Sequence, residues 1–408
     1  MIALGCRSIY LMMFRYCLLL LPVLITACGQ HNTSTSAVAR DSSVAESTSG
    51  PTGDFYKRFS GTIAGRPVVV QFHRQAGKIH GTYQYSNIGQ LVEFRNWLDT
   101  VADENYILSE IVPGVQAEGA TWAILIQGKT ARGEWWSSDS EQHFPISLTE
   151  EYPEGSIRLD AFQIADSASL FPDRASSPKA ITTHSYLLPA GDQAGFLYDV
   201  LRSQIAPGSK EGDDIATAIR AANAAYFNAY RKENALLLDD GDAGLFTFNY
   251  TNDEVMQVLY NDQYWLVTEL FTASYTGGAH GNYASSYANI DLGQKKIWTV
   301  TDIVADTTAL RPLLNDAAIS YFRLAPGEGM SQRLLVDEVP ATANIYLSAT
   351  GLSFVYNPYE IASYAAGQIS LFLPYKKLMP FLTPAFKSRM HLTERAGVAM
   401  LRTPTKNY

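Results

Sequence analysis

One histidine in the 408-residue chain stands in a setting suited to chemistry: His280, within Tyr275-Thr-Gly-Gly-Ala-His-Gly-Asn-Tyr283. An imidazole acts as a general base when a carboxylate orients it, and Glu269 and Glu360 are the acids that folding would have to bring near. The alternative is structural. Gly277, Gly278 and Gly281 form a tight connection with positive φ angles, and His280 tethers it by a backbone hydrogen bond. The structural role is the expectation. A second stretch, Tyr356-Asn-Pro-Tyr-Glu-Ile-Ala-Ser-Tyr364, combines a strand-breaking Pro358 with rigid amphipathic rings. Its tyrosines suit a recognition surface or a core with satisfied hydroxyls. The two stretches are expected to be neighbours in space. Together they supply the candidate ligand-binding residues Tyr275, Gly277, Gly278, His280, Tyr283, Tyr356, Tyr359, Glu360 and Tyr364.

Other chemistries find little support. No His-Glu-x-x-His or Gly-x-Ser-x-Gly motif occurs. Gly128-Lys129-Thr130 ends like a phosphate loop, but Ala123 replaces its first glycine. Leu236-Leu-Leu-Asp-Asp-Gly-Asp242 hints at calcium without completing EF-hand spacing, so a solvated turn is expected. Trp97, Trp122, Trp135 and Trp136 suit a sugar site, though filling a hydrophobic interior is the simpler use. No catalytic residue, metal or cofactor is assigned.

The elements that must position these residues follow from periodicity. Residues 54–152 are all-β. Short alternating segments such as Val68–Phe72, Gly81–Tyr85, Trp122–Ile126 and Phe144–Leu148 are separated at even spacing, as in a barrel or sandwich. Two related stretches, Lys78–Tyr83 and Lys129–Trp135, each place a glycine before an aromatic, which suits a bend at a barrel corner. Ile157–Ile164 and Ile181–Leu188 are possible strands either side of the turn-rich Phe171–Pro178. Helices are expected from Phe196 to Ile205 and from Ile215, behind an Asp213-Asp214 cap, to Lys232. The second carries an alanine-rich stripe through Ala218, Ala222, Ala225 and Ala229 that predicts close packing on a sheet.

Strands follow over Leu245–Tyr250, Glu254–Tyr260 and Tyr264–Tyr275, with Asn252-Asp253 and Asn261-Asp262 as hairpin turns, so the sheet is expected to be antiparallel. Tyr287–Leu292 and Lys296–Val300 flank a turn. Leu310–Phe322 is a helix, Ser331–Val336 a shorter one, and Asn344–Leu347, Leu352–Tyr356 and Gln368–Leu373 are the last strands. The chain beyond Lys387 is expected to be poorly ordered. The fold class is therefore α+β: an all-β barrel-like domain, then an antiparallel sheet packed with helices.

The N-terminus carries an address. Arg7 and Arg15 precede the apolar core Leu18–Ile25, which is too short for a membrane span, and Leu24-Ile-Thr-Ala-Cys28 has the small residues and thiol of a lipoprotein cleavage site. Cys28 is the expected lipidation site. The other cysteines, Cys6 and Cys17, precede it, so the mature chain would have no internal disulfide. Gly29, in place of aspartate, favours the outer membrane. The expected organisation is a signal peptide over 1–27, a flexible linker over 28–53, the barrel-like domain over 54–152, an α+β domain over 153–385 and a tail over 386–408. The net charge of −9 becomes −11 when Arg7 and Arg15 leave with the signal, which disfavours nucleic acid and suits a cationic partner.

The glycine-histidine stretch, Ile290-Asp-Leu-Gly293, Trp298-Thr-Val-Thr-Asp-Ile303 and Phe354-Val-Tyr-Asn-Pro-Tyr-Glu-Ile-Ala-Ser-Tyr-Ala-Ala-Gly367 together resemble one family of exported bacterial domains. That family occurs in the lysozyme-sensing anti-sigma factor RsiV and beside the catalytic domain of the peptidoglycan deacetylase PdaC, and the resemblance spans roughly residues 180–382. It implies a protein acting at the cell wall, with lysozyme or peptidoglycan as ligand. The sigma-binding segment and the deacetylase domain have no counterpart, so neither activity is carried over. The expected function is a non-catalytic envelope lipoprotein. A hydrolase or deacetylase of wall glycan using His280, and an architectural lipoprotein, are the alternatives.

Overall fold

The structure is a computed structural model that describes residues 53–393, apart from 76–77, 87, 97–104, 113–117, 192–194, 211, 236–244 and 326–327. The expected lipidation site Cys28, the expected linker up to Thr52, Trp97 and the aspartate-rich 236–242 segment lie outside the described residues, as does the tail from 394.

Eight strands close into an antiparallel meander barrel: β1 (Phe55–Ile63), β2 (Arg66–Gln75), β3 (Lys78–Tyr85), β4 (Ile88–Asn96), β5 (Asn105–Ile111), β6 (Glu118–Gln127), β7 (Thr130–Trp136) and β8 (His143–Glu150). Alternation sends Phe59, Val70, Phe72, Phe94, Leu108, Trp122 and Ile124 inward, where they fill the interior. Closure demands close strand approach, and glycine provides it. A Cβ at Gly81 would lie 1.9 Å from the Gln71 carbonyl oxygen, and one at Gly133 2.0 Å from that of Ala123. Trp122 is a core residue, while the Trp122, Trp135 and Tyr83 side chains all donate to one oxygen of Glu110, at 3.0, 2.8 and 2.7 Å.

A hairpin of β9 (Leu159–Ser169) and β10 (Lys179–Pro189) follows, then helices α1 (Phe196–Ile205) and α2 (Ile215–Asn234). The helical crossover lets β11 (Tyr250–Asp262) return parallel to β10, pairing Ala180–Ser185 with Tyr250–Val255. With β12 (Trp265–Tyr275), β13 (Asn282–Asp291) and β14 (Lys296–Trp298), these strands form a six-stranded sheet in the order β14-β13-β12-β11-β10-β9. Trp265 to Leu270 are all buried because both faces are covered. Leu266 and Leu270 pack toward α1, whereas Trp265 and Val267 pack toward a second sheet. That sheet has three strands, β15 (Ile345–Leu347), β16 (Gly351–Tyr356) and β17 (Ile369–Pro374). Short α3 (Val300–Ile303), α4 (Arg311–Phe322), α5 (Tyr375–Leu378) and α6 (Pro384–Arg389) complete the fold. No helix among the described residues is long and apolar enough to cross a membrane.

Several local expectations give way to tertiary pairing. Leu245–Phe248 is a 3₁₀ turn, and β11 runs straight through Asn252-Asp253 because it is paired on both sides there. The hairpin turn falls later, at Gln263-Tyr264, both with positive φ (53° and 62°). Asn261 is held in the strand, its side chain bonding Tyr56 and Ile157. One strand pair of the sheet is thus parallel. Helix α2 buries Ile215, Ile219, Asn223, Phe227, Tyr230 and Asn234, so Ala222, Ala225 and Ala229 face solvent instead of the sheet. Within Ser331–Val336 only the 3₁₀ turn Met330–Gln332 reaches in. The chain beyond Lys387 is ordered through Leu392: Met390 and Leu392 are buried, and Arg389 forms a bidentate pair with the fully buried Asp291 at 2.6 and 3.2 Å.

The barrel docks on the free edge of β11. Beyond Val255, β10 no longer covers that edge, and barrel side chains take over its backbone groups. Gln75 Nε2 donates to Met256 O at 3.0 Å, His73 Nε2 accepts from Val258 N at 3.1 Å, and Thr82 Oγ1 donates to Leu259 O at 3.2 Å. Arg58 Nε donates to Asn261 O at 2.8 Å, and its guanidinium pairs with Asp262 at 2.8 Å. Buried backbone groups need partners, so this substitution for a missing strand fixes the barrel's position.

Candidate functional site

The Tyr275–Tyr283 segment links β12 to β13. Gly277 and Gly278 both have φ of 91°, a conformation that side chains rarely adopt. Tyr275 Oη donates to Gly278 O at 3.1 Å, and His280 Nδ1 lies 2.8 Å from Gly281 O. His280 is exposed, and its ring stacks on Tyr364 with centroids 4.0 Å apart. Tyr283 meets Tyr364 edge-on at 5.8 Å. The two stretches therefore touch.

Among the described residues, neither candidate carboxylate hydrogen-bonds His280. Glu269 is buried on β12, where Gln257 and Tyr287 hydrogen-bond it. Glu360 accepts from Asn357 N at 3.1 Å.

The second stretch begins in the core. Tyr356, at the end of β16, is buried and donates to Pro340 O at 2.7 Å. Asn357 then imitates a strand: its amide oxygen accepts from Ser285 N at 2.8 Å and its amide nitrogen donates to Ser285 O at 3.2 Å. The turn that follows holds Tyr359 at a φ of 72° with 55% of its surface exposed. Its ring sits 5.8 Å from that of Tyr364. Tyr359, Tyr364, His280 and Tyr283 thus form a continuous aromatic ridge fixed by packed loops, with Gly277, Gly278 and Tyr275 in its supporting turn.

Beneath the ridge lies a cavity of about 350 Å³ where barrel strand β4 meets the start of β13, the three-stranded sheet and α4. Glu93 and Arg95 line it from β4, opposite Tyr283, Tyr321, Tyr346 and Gln368. Glu93 presents its surface to this space, yet protein surrounds it. Burial, then the nearby charge of Glu269, push its carboxyl up to about 7, against the opposing pull of Arg95. Burial and Glu93 likewise push the Tyr346 hydroxyl up to about 12. Sequence reasoning missed Glu93 and Arg95. They alternate with the inward-facing Val92 and Phe94 and so look like an ordinary solvated barrel exterior. Both stay exposed, and docking of the second half makes them one wall of a cavity.

Among the described residues, no group of three or more His, Cys, Asp or Glu side chains could hold a metal ion. A family model described as a protein of unknown function, DUF3298, matches residues 301–376. That range includes the Tyr356–Tyr364 loop and not the glycine-histidine loop. No curated protein matches the sequence. A crystal structure of a DUF3298 family member from Bacteroides fragilis is similar at 23% identity and a TM-score of 0.51, over 58% of this chain and 98% of that one. A DUF3298 family protein from Pseudomonas aeruginosa PAO1 aligns at 17% identity and a TM-score of 0.41, over 57% of this chain and 98% of that one. The first likeness is one of fold.

Proposed function

We propose that the chain is a non-catalytic cell-envelope lipoprotein that binds a wall-associated ligand through the aromatic ridge. The observation that carries this reading is Tyr359. A large ring held mostly exposed, on a backbone conformation that costs a non-glycine residue of order 1 kcal/mol, is not explained by packing. Rigid tyrosines aligned with a stacked histidine make good recognition anchors, because few rotamers are lost on binding. Among the described residues, the two candidate acids Glu269 and Glu360 bond elsewhere and lend a hydrolase reading no support.

The preferred ligand is a cationic protein of the lysozyme class, and peptidoglycan is the other candidate. The mature charge of −11, the resemblance of the glycine-histidine and Tyr-x-Pro-Tyr-Glu-Ile stretches, and electrostatic steering favour the protein. Retention of the purified mature chain on immobilised lysozyme and on insoluble peptidoglycan, at low and moderate salt, tests the reading. Tyr359→Ala and Tyr364→Ala should each reduce retention several-fold. Failure of the wild-type chain to bind either matrix at either salt would overturn the reading.

A further inference from the structure

A distinct site lies in the cavity under the ridge, and its chemistry points to a small molecule. At about 350 Å³ it would hold roughly ten waters, and it falls within the range of small-ligand pockets. Its walls combine the apolar Leu91 and Ile111 with the rings of Tyr283, Tyr321 and Tyr346. One acid, Glu93, faces the space, and no described residue hydrogen-bonds its carboxylate. A second, Glu269, lies close enough behind it to repel its charge. Arg95 is the cation lining the same wall. Among the described residues, the lining holds one carboxylate and one guanidinium, and the second carboxylate behind them tips this aromatic-walled space toward negative charge. Tyrosine faces attract cations as well.

We infer that this cavity binds a small organic amine in its ammonium form, with a body about one ring in size and Glu93 as its counter-ion. The ammonium donates to the Glu93 carboxylate, and the tyrosine rings enclose the carbon body. Gln368 and Ser370 are placed for polar substituents. The inference does not rest on the ridge as a docking surface, and either can fail without the other.

The groups facing Glu93 are Arg95 from its own strand, Glu269 from β12, Tyr287 and Tyr283 from β13, Tyr346 from β15 and Tyr321 from α4. Its surroundings raise the Glu93 carboxyl to about 7. An ammonium would compete with its proton, so affinity should fall as pH falls.

Calorimetric titration of the mature protein with cyclohexylamine, beside cyclohexanol as an uncharged body of the same shape, tests this. Cyclohexylamine should bind and cyclohexanol should not. Binding should weaken about tenfold from pH 8 to pH 6, because below a carboxyl value near 7 each pH unit costs up to a tenfold loss. Glu93→Gln, which keeps the shape, should lose at least about tenfold in affinity and its pH dependence, with an unchanged melting temperature or a raised one. Tyr346→Phe should retain binding, since it keeps the ring face. Absence of cyclohexylamine binding up to millimolar concentration, equal binding of cyclohexanol, or unaltered binding by Glu93→Gln would each overturn the assignment.

Discussion

At the scale of single residues, Tyr359 and Tyr356 separate binding from packing, though they are three positions apart. Tyr359→Gly relieves a left-handed backbone and removes a ring in loose contact with Tyr364. The expected stability change is within about 1 kcal/mol of zero, with a slight gain where the backbone effect dominates, while retention on the ligand matrix falls several-fold. Tyr356→Phe should do the opposite. It leaves the Pro340 carbonyl without its donor, costing about 1–2 kcal/mol by chemical denaturation with ligand retention unchanged. Arg389 gives a larger effect. Its guanidinium lies against Asp291 and over the Trp265 ring, so Arg389→Met leaves a fully buried carboxylate unpaired. A loss of about 3–5 kcal/mol is expected, and a loss below about 1 kcal/mol would show that the pair contributes little.

At the scale of elements, the edge of β11 is where pH should act on stability. His73 and His80 are paired across β2 and β3 and stacked at 5.3 Å. Burial holds His73 well below the ordinary histidine value and His80 down to about 4. Both values are depressed in the folded state, so unfolding takes up protons between about pH 4 and about 6.5. The stability they permit is complete above about pH 6.5 and declines as pH falls through that window, by up to about 1.4 kcal/mol per pH unit for each ring. Protonated His73 would also cease to accept from Val258. His184 works the other way. Its contacts with Glu254 and Asn223 raise its value despite burial, so its contribution is present in acid and fades as pH rises through that raised value. Denaturation midpoints from pH 4 to pH 8 should therefore rise, and His80→Gln should flatten the acid limb. A limb unchanged in that variant would remove His80 from the account.

At the scale of the whole molecule, the barrel and the sheets share polar bonds that neither half could satisfy alone. Arg58, His73, Gln75 and Thr82 close the backbone of β11, and Arg58 and Arg389 both bond to the Asp262–Trp265 hairpin. Thermal unfolding of the mature chain should therefore be one cooperative transition. His73→Phe keeps a ring but loses the acceptor, and should lower stability by about 1–3 kcal/mol. A wild-type chain melting in two separated steps would contradict the shared edge. The same docking makes the Glu93 cavity, which neither the barrel nor the sheet encloses by itself.

The barrel was legible because a period of two, even turn spacing and glycines before aromatics are local facts. The sequence also determined the ends of α1 and α2, the Asp214 cap, which accepts from Thr217 N at 2.8 Å, and the turn built on Gly277 and Gly278. What tertiary structure alone decided depended on partners distant along the chain. Asn252-Asp253 has turn chemistry, but two neighbouring strands hold it extended. The alanines of α2 form a small-residue stripe, but burial follows the larger Phe227 and Tyr230, which bring Asn223 and Asn234 in with them. Tyr356 and Tyr359 share a residue type and a loop, yet one lies under Pro340 and the other in solvent. Glu93 has the local pattern of a solvated exterior, and only the β11 edge, seeking partners for its backbone, brings a second half over it. Local propensity sets what a segment prefers. Which face is covered, and so which side chains come to line a cavity, follows from the hydrogen bonds and apolar area that only the assembled chain can satisfy.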